Sequence, residues 1–346
     1  MRESGEAPIL VEATRGPLVE SRHRGHAALV DAEGSVVLRF GDIDAPVMPR
    51  SAVKPLQALP LVESGAADAF GLGEAEIALA CASHRGEPAH VARVTSWLAR
   101  LGLAVEDLEC GAHMPGNEAA ARALIRANQA PCAAHNNCSG KHAGFLTTAR
   151  HLGEPTKGYI AHAHPVQRRV AAILGEMTDS DAPGGSYGID GCGIPTIALP
   201  LRAWAMGLAR LADPGRLGPV RAAAARRIVA AMAAEPAMVS GTGTMTTLLM
   251  EEAGAKLVVK PGAEGVYAAI LRERGLGLMI KIEDGAARGA DLALAALLQR
   301  LGMLDEPAQE RLARFLDPPL ANHAGRIVGR LQPAATLARL EINLSS

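Results

Sequence analysis

The chain has 346 residues, 49% of them hydrophobic, with a formal net charge of −1. That length is enough for one large domain or two smaller ones with a substantial core. The near-zero charge gives no grip on nucleic acid or an anionic membrane, and 3% aromatic content leaves few rings for stacking bases. No apolar run reaches membrane-spanning length. The polar start Met1-Arg2-Glu3-Ser4-Gly5-Glu6 lacks the basic-then-apolar order of a signal peptide. The five sparse cysteines, Cys81, Cys110, Cys132, Cys138 and Cys192, fit free thiols or metal ligands in a reducing cytoplasm better than a disulfide framework.

In chain order, residues 9–14 read as a strand, and the apolar runs 27–31 and 35–40 around Ala32-Glu33-Gly34 read as a hairpin. A polar, proline-containing loop leads to a helix expected from Ser51 to about residue 63. Helical patterns follow at 74–82, 88–101, 118–128, 140–151, 165–177, 201–211 and 219–234, with a Gly/Pro/Asp-rich loop at 178–193. Strand-length runs return at 256–260, 265–270 and 277–282. Helices are expected at 289–301 and 307–315, and a late strand at 326–331. Strands at both ends with helices between predict an α+β fold in a single catalytic domain. An antiparallel sheet would draw on residues 1–50 and 255–346, with a mainly helical region, 51–254, inserted.

Three short stretches suggest chemistry in combination. In Arg50-Ser51-Ala52-Val53-Lys54, a serine and a lysine three apart share one face of a helix. A lysine that loses its proton in a dry pocket can activate the serine. Alone, such a tetrapeptide is common and ordinarily marks a solvated helix face. Ser83, in Cys81-Ala82-Ser83-His84-Arg85-Gly86-Glu87-Pro88, sits where one helix ends and another begins, so it is either a loop serine for catalysis or a helix cap. His84 beside it is either a general base or a satisfied loop histidine. Lys260-Pro261-Gly262 ends a strand with lysine and glycine, although Pro261 removes a hydroxyl and a backbone donor. The order S-x-x-K, loop serine, K-x-G is that of penicillin-binding proteins and class A β-lactamases. It points to a serine–lysine amidohydrolase in which burial and clustered ammonium groups lower the lysine pKa values.

Two further stretches could hold a metal. In His135-Asn136-Asn137-Cys138-Ser139-Gly140-Lys141-His142-Ala143-Gly144, Cys138 and His142 have i, i+4 ligand spacing if the helix begins before Cys138. Ser139 as the N-cap would leave Cys138 outside it. Cys192, between two glycines in Asp190-Gly191-Cys192-Gly193, could share a soft ion such as Zn²⁺ with Cys138. The plainer reading is two unrelated thiols. Ser240-Gly241-Thr242-Gly243-Thr244 could offer backbone N–H groups to a carboxylate or oxyanion.

Together these five stretches, the lysine one extended to Lys260-x-Gly262-Ala263-Glu264-Gly265, resemble the rhizobial-type (class 3, asparaginase II family) L-asparaginases from about residue 9 to about 331. The resemblance implies a serine β-lactamase/glutaminase-like fold and hydrolysis of L-asparagine to L-aspartate and ammonia. It implies two Ser-Lys pairs, Ser51 with Lys54 and Ser83 with Lys260. It implies zinc on Cys138, Lys141 and Cys192, where spacing alone favours His142 over Lys141. His142, Arg50 and Asp190 are then candidates for substrate contacts. The implied partner is a small amino-acid amide, and the implied assembly a homodimer. One departure is Thr244, where arginine is expected after Gly-Thr-Gly. The rival readings are a glutaminase or β-lactam-type acyltransferase on the same scaffold, and a zinc or thiol sensor that leaves Ser51 unused.

Overall fold

A computed structural model of the chain describes residues 6–340. Strand β1 (Ile9–Arg15) pairs with β2 (Leu18–Val30), and β2 pairs in turn with β3 (Val36–Phe40). Only the last third of β2 is the apolar run seen in the sequence. Its first eight residues, Leu18 to Gly25, are largely polar, and their strand geometry comes from the ladder with β1 rather than from hydrophobic patterning. Two short pieces, β4 (Pro46–Val47) and β7 (Leu199–Pro200), pair with each other, as do β5 (Tyr187–Ile189) and β6 (Pro195–Ile197). The C-terminal part supplies β8 (Leu257–Pro261), β9 (Val266–Leu271), β10 (Leu276–Ile282), β11 (Pro319–Ala321) and β12 (Ile327–Pro333).

The main sheet is antiparallel, in the order β11-β12-β1-β2-β10-β9-β8 with β3 branching from β2. Strands from both ends of the chain thus interleave, and the fold is α+β with the helical region inserted between them. Strand β9 is buried along its whole length. The helix Leu201–Ala212 packs against β10, β2 and β9, and the helix Ala287–Arg300 against β1, β9, β10 and β12. Gly277 makes the first of these contacts possible, since a Cβ there would lie 2.1 Å from Ala205 O. Among the described residues no helix is long and apolar enough to cross a membrane.

The structure corrects three sequence expectations. The single helix expected from Ser51 is a 3₁₀ turn, Arg50–Val53, followed by the helices Lys54–Gln57 and Leu59–Glu63. Pro55 and Pro60 lack the amide protons that a continuous helix would use. The 178–193 loop contains β5, and the β5–β6 turn is closed by Asp190 N–H to Ile194 O (2.8 Å) and Gly193 N–H to Asp190 O (2.8 Å). The helix Met245–Ala253, absent from the sequence reading, follows the Gly-Thr-Gly loop.

Candidate active site

Lys54 is fully buried. Its Nζ donates to Ala82 O and lies 3.1 Å from both Ser83 Oγ and Cys138 Sγ. Lys260, near the end of β8, brings its Nζ to 2.7 Å from Ser83 Oγ and 2.8 Å from Pro261 O. The Ser83 hydroxyl therefore bridges two lysine amines. Burial pushes the Lys260 ammonium well below the ordinary lysine value, and the charge of Lys54 pushes it further the same way. The Lys54 amine meets three acceptors, Ala82 O, Ser83 Oγ and Cys138 Sγ. Neutral Lys260 can donate to Pro261 O while its lone pair takes the Ser83 proton.

Ser51 is half-buried, and among the described residues its hydroxyl makes no hydrogen bond. The S-x-x-K lysine reaches Ser83 instead. Ser51 lies in the 3₁₀ turn against the end of β8, where a Cβ on Gly262 would stand 2.9 Å from Pro49 O and 3.2 Å from Ala52 N. The glycine of K-x-G thus lets β8 approach the serine turn. Arg50, just before Ser51, has φ 50°, a left-handed conformation costing an L-residue roughly 1–2 kcal/mol. Its guanidinium is held by Asp190, with Nε at 3.0 Å and Nη2 at 2.8 Å from Oδ1. Gly191 N–H donates to the same oxygen at 2.7 Å. Burial works to raise the Asp190 pKa, but the Arg50 bond and the Lys141 charge together hold it below the usual carboxylate range.

Cys138 is the cap residue of the helix Ser139–His151, so it lies just outside that helix, and His142 lies inside it. Lys141 Nζ donates to Cys192 Sγ at 3.0 Å, as Lys54 Nζ does to Cys138 Sγ. The neighbouring Cys192 thiol, with Lys54 and Lys141 assisting, holds Cys138 well below its ordinary value against the effect of burial, and Cys138 and burial together raise Cys192. Burial opposes the charge of Lys141, but the two sulfurs outweigh it and raise its pKa. Among the described residues no group of three His, Cys, Asp or Glu side chains surrounds a common point. The cluster has two sulfurs, and its third donor is a lysine. Two thiolates and a neutral amine, all nearly buried, suit the soft, tetrahedral preference of Zn²⁺ with one position open, so these residues fit the ion.

His142 is fully buried, and burial followed by the charges of Lys141 and Lys54 keeps it neutral. Its Nδ1 lies 2.9 Å from Tyr159 Oη, which accepts the Glu109 N–H at 2.8 Å. If the tyrosine hydroxyl donates to Nδ1, all three groups are satisfied and the imidazole proton sits on Nε2. That atom is the buried side-chain N or O left without a partner among the described residues.

The Ser240–Thr244 loop does offer a backbone N–H to a carboxylate, but to one of the chain itself. Thr242 gives its N–H and hydroxyl to the Glu87 carboxylate, at 3.0 and 2.9 Å. Thr244 accepts the Thr247 N–H at 3.2 Å and caps the following helix. Tyr159 and Glu87, which sequence reasoning missed, act through hydrogen bonds between segments distant in sequence, and local spacing does not show these. Cavity size does not locate the site either. A cavity of about 780 Å³ lies between Glu63, Leu152, Arg169 and Arg221 and contains none of the residues above.

A family model described as L-asparaginase II matches residues 11–333. No curated protein matches the chain in sequence. Among solved structures, a β-lactamase from Mycobacterium bovis is 14% identical, with a TM-score of 0.37, over 84% of this chain and 95% of that one. A mutant simvastatin synthase from Aspergillus terreus is 12% identical, with a TM-score of 0.38, over 80% of this chain and 93% of that one. The α+β description stands on the sheet order itself, and superpositions with TM-scores this low add nothing to it.

Proposed function

Since the chain belongs to the L-asparaginase II family of hydrolases, we propose that it hydrolyses L-asparagine to L-aspartate and ammonia through a Ser51 acyl-enzyme. The observation that carries this reading is the Ser83 hydroxyl bridging Lys54 and Lys260 at 3.1 and 2.7 Å. A proton passes from Lys54 through Ser83 to Lys260, whose amine burial keeps neutral and so leaves with a lone pair free to take it. The Lys54 amine, which must exchange one of its present partners for Ser51 when substrate binds, then accepts the Ser51 proton as Ser51 Oγ attacks the side-chain amide carbon. The Ser51 backbone N–H, at the start of its turn, donates to the oxyanion. As the C–N bond breaks, the proton on Lys260 returns through Ser83 to the leaving nitrogen, and ammonia departs. For deacylation the proton on Lys54 passes again through Ser83 to Lys260, and Lys54 takes a proton from water as its oxygen attacks the ester carbon. The acyl–Oγ bond breaks as Lys54 returns that proton to Ser51 Oγ. The proton on Lys260 returns through Ser83 to Lys54, and aspartate leaves, giving its new carboxyl proton to solvent.

Arg50 and Asp190, now paired, bind the substrate α-carboxylate and α-ammonium by exchanging each other for the two charged groups of the amino acid. His142 Nε2–H supplies a further donor to the substrate. Cys138, Lys141 and Cys192 would hold zinc, which when bound supplies a positive centre that orients the amide. The free state of all five cysteines supports a reducing, cytoplasmic location. The homodimer stays part of this proposal, to be checked by sizing in solution.

A panel of asparagine, glutamine and a chromogenic β-lactam tests the reaction. Ammonia release that is fastest from asparagine is the expected result. Preferred turnover of glutamine or the β-lactam would favour another amidohydrolase on this scaffold, and no turnover at all would favour the sensor.

A further inference from the structure

We propose that His84 is a positioning residue whose bond to Ser139 fixes the separation of Ser83 and Cys138, the two side chains that Lys54 grips. The proposal rests on the role given to Lys54 and Ser83 above. His84 follows Ser83 directly, and Ser139 follows Cys138. On the side of the lysine, Nζ lies 3.1 Å from both Ser83 Oγ and Cys138 Sγ. One residue further along each segment, His84 Nε2 lies 2.8 Å from Ser139 Oγ. The two segments are also joined by His84 N–H to Asn137 O at 3.2 Å.

Hydrogen-bond logic fixes the tautomer. His84 Nδ1 accepts the Gly86 N–H at 3.1 Å, so Nε2 carries the proton and donates to Ser139. Ser139 passes its own hydroxyl proton to Ala134 O at 3.0 Å. His84 and Ser139 are 2% and 0% exposed, and the His84 ring stacks on His90 with centroids 4.8 Å apart. Both ring nitrogens are occupied, so His84 is not free to act as a general base. Its bond sets the gap that the amine of Lys54 must span, and a misplacement of about 1 Å in such a group can cost about 100-fold in rate.

Three substitutions separate this role from simple stabilisation. His84→Gln keeps a donor near the Nε2 position, His84→Asn loses the bond to Ser139, and Ser139→Ala removes the acceptor. The expected result, read as ammonia release from asparagine by folded protein, is near wild-type kcat for His84→Gln. For His84→Asn and Ser139→Ala, kcat should fall by about 10- to 100-fold with little change in KM. The double variant His84→Asn/Ser139→Ala should be no worse than the more affected single one. Unchanged kcat in His84→Asn, a loss carried by KM, or additive losses in the double variant would overturn the proposal. A wild type that releases no ammonia would overturn the proposed function instead. The crystal structure of His84→Asn would then decide the positioning role, with a lengthened Lys54–Ser83 contact supporting it and an unchanged one overturning it.

Discussion

Lys260 stands 2.7 Å from Ser83 Oγ, closer than Lys54 at 3.1 Å. With Lys54 also bonded to it, the Ser83 hydroxyl links the two amines. Ser83→Ala should therefore lower kcat for asparagine by about 10²- to 10⁴-fold, the range of a lost proton-transfer group, with KM changed far less. Steady-state kinetics check this. A variant with wild-type kcat would mean that the amines do not exchange protons through this hydroxyl.

The depressed pKa of Lys260 has a consequence for stability. In the folded chain the amine is neutral down to well below 10.5, whereas the unfolded lysine is charged up to that value. Between the two values the unfolded state binds more protons, so this residue makes stability rise with pH and fall as pH drops through the window. Lys260→Met should flatten the increase in stability between neutral pH and about pH 10. Denaturant unfolding of both proteins at several pH values reads the difference. Parallel curves would show that Lys260 keeps its charge in the folded protein.

Zinc binding should depend on pH in the direction set by Lys141. The two sulfurs raise its pKa, so the ion must displace a firmly held proton, and affinity should rise with pH. Metal analysis of protein purified without chelator should find zinc in the wild type. Cys138→Ala, Cys192→Ala and Lys141→Met should each lose it. A wild type without zinc would contradict the ligand assignment.

The sequence made the sheet strands at 9–14, 27–31 and 257–282 legible because apolar runs of strand length are bounded there by turn residues. It did not show the first part of β2. Ser21, Arg22, His23 and Arg24 are polar, and they are held by pairing with a strand that composition cannot indicate. Helices with a long apolar face, such as Leu201–Ala212, were legible for the same reason. The catalytic elements were harder. Pro55 was visible, yet the expected helix ran through it, and the 3₁₀ turn that replaces it changes what the S-x-x-K spacing means. Ser51 and Lys54 stay close in sequence while the amine turns to Ser83, 29 residues away. The bonds from Arg50 to Asp190 and from His142 to Tyr159 depend on tertiary placement and leave no local signature. Gly140 illustrates the reverse case. A Cβ there would sit 2.2 Å from Leu79 O, so the glycine in the Ser139-Gly140-Lys141 segment records a helix contact that spacing rules do not read.

The most direct measurement is ammonia release from L-asparagine by the wild type and Ser51→Ala side by side. If Ser51 is the nucleophile, the wild type turns over and the variant loses at least about 10³-fold in kcat. Wild-type-like turnover by Ser51→Ala would contradict the acyl-enzyme assignment.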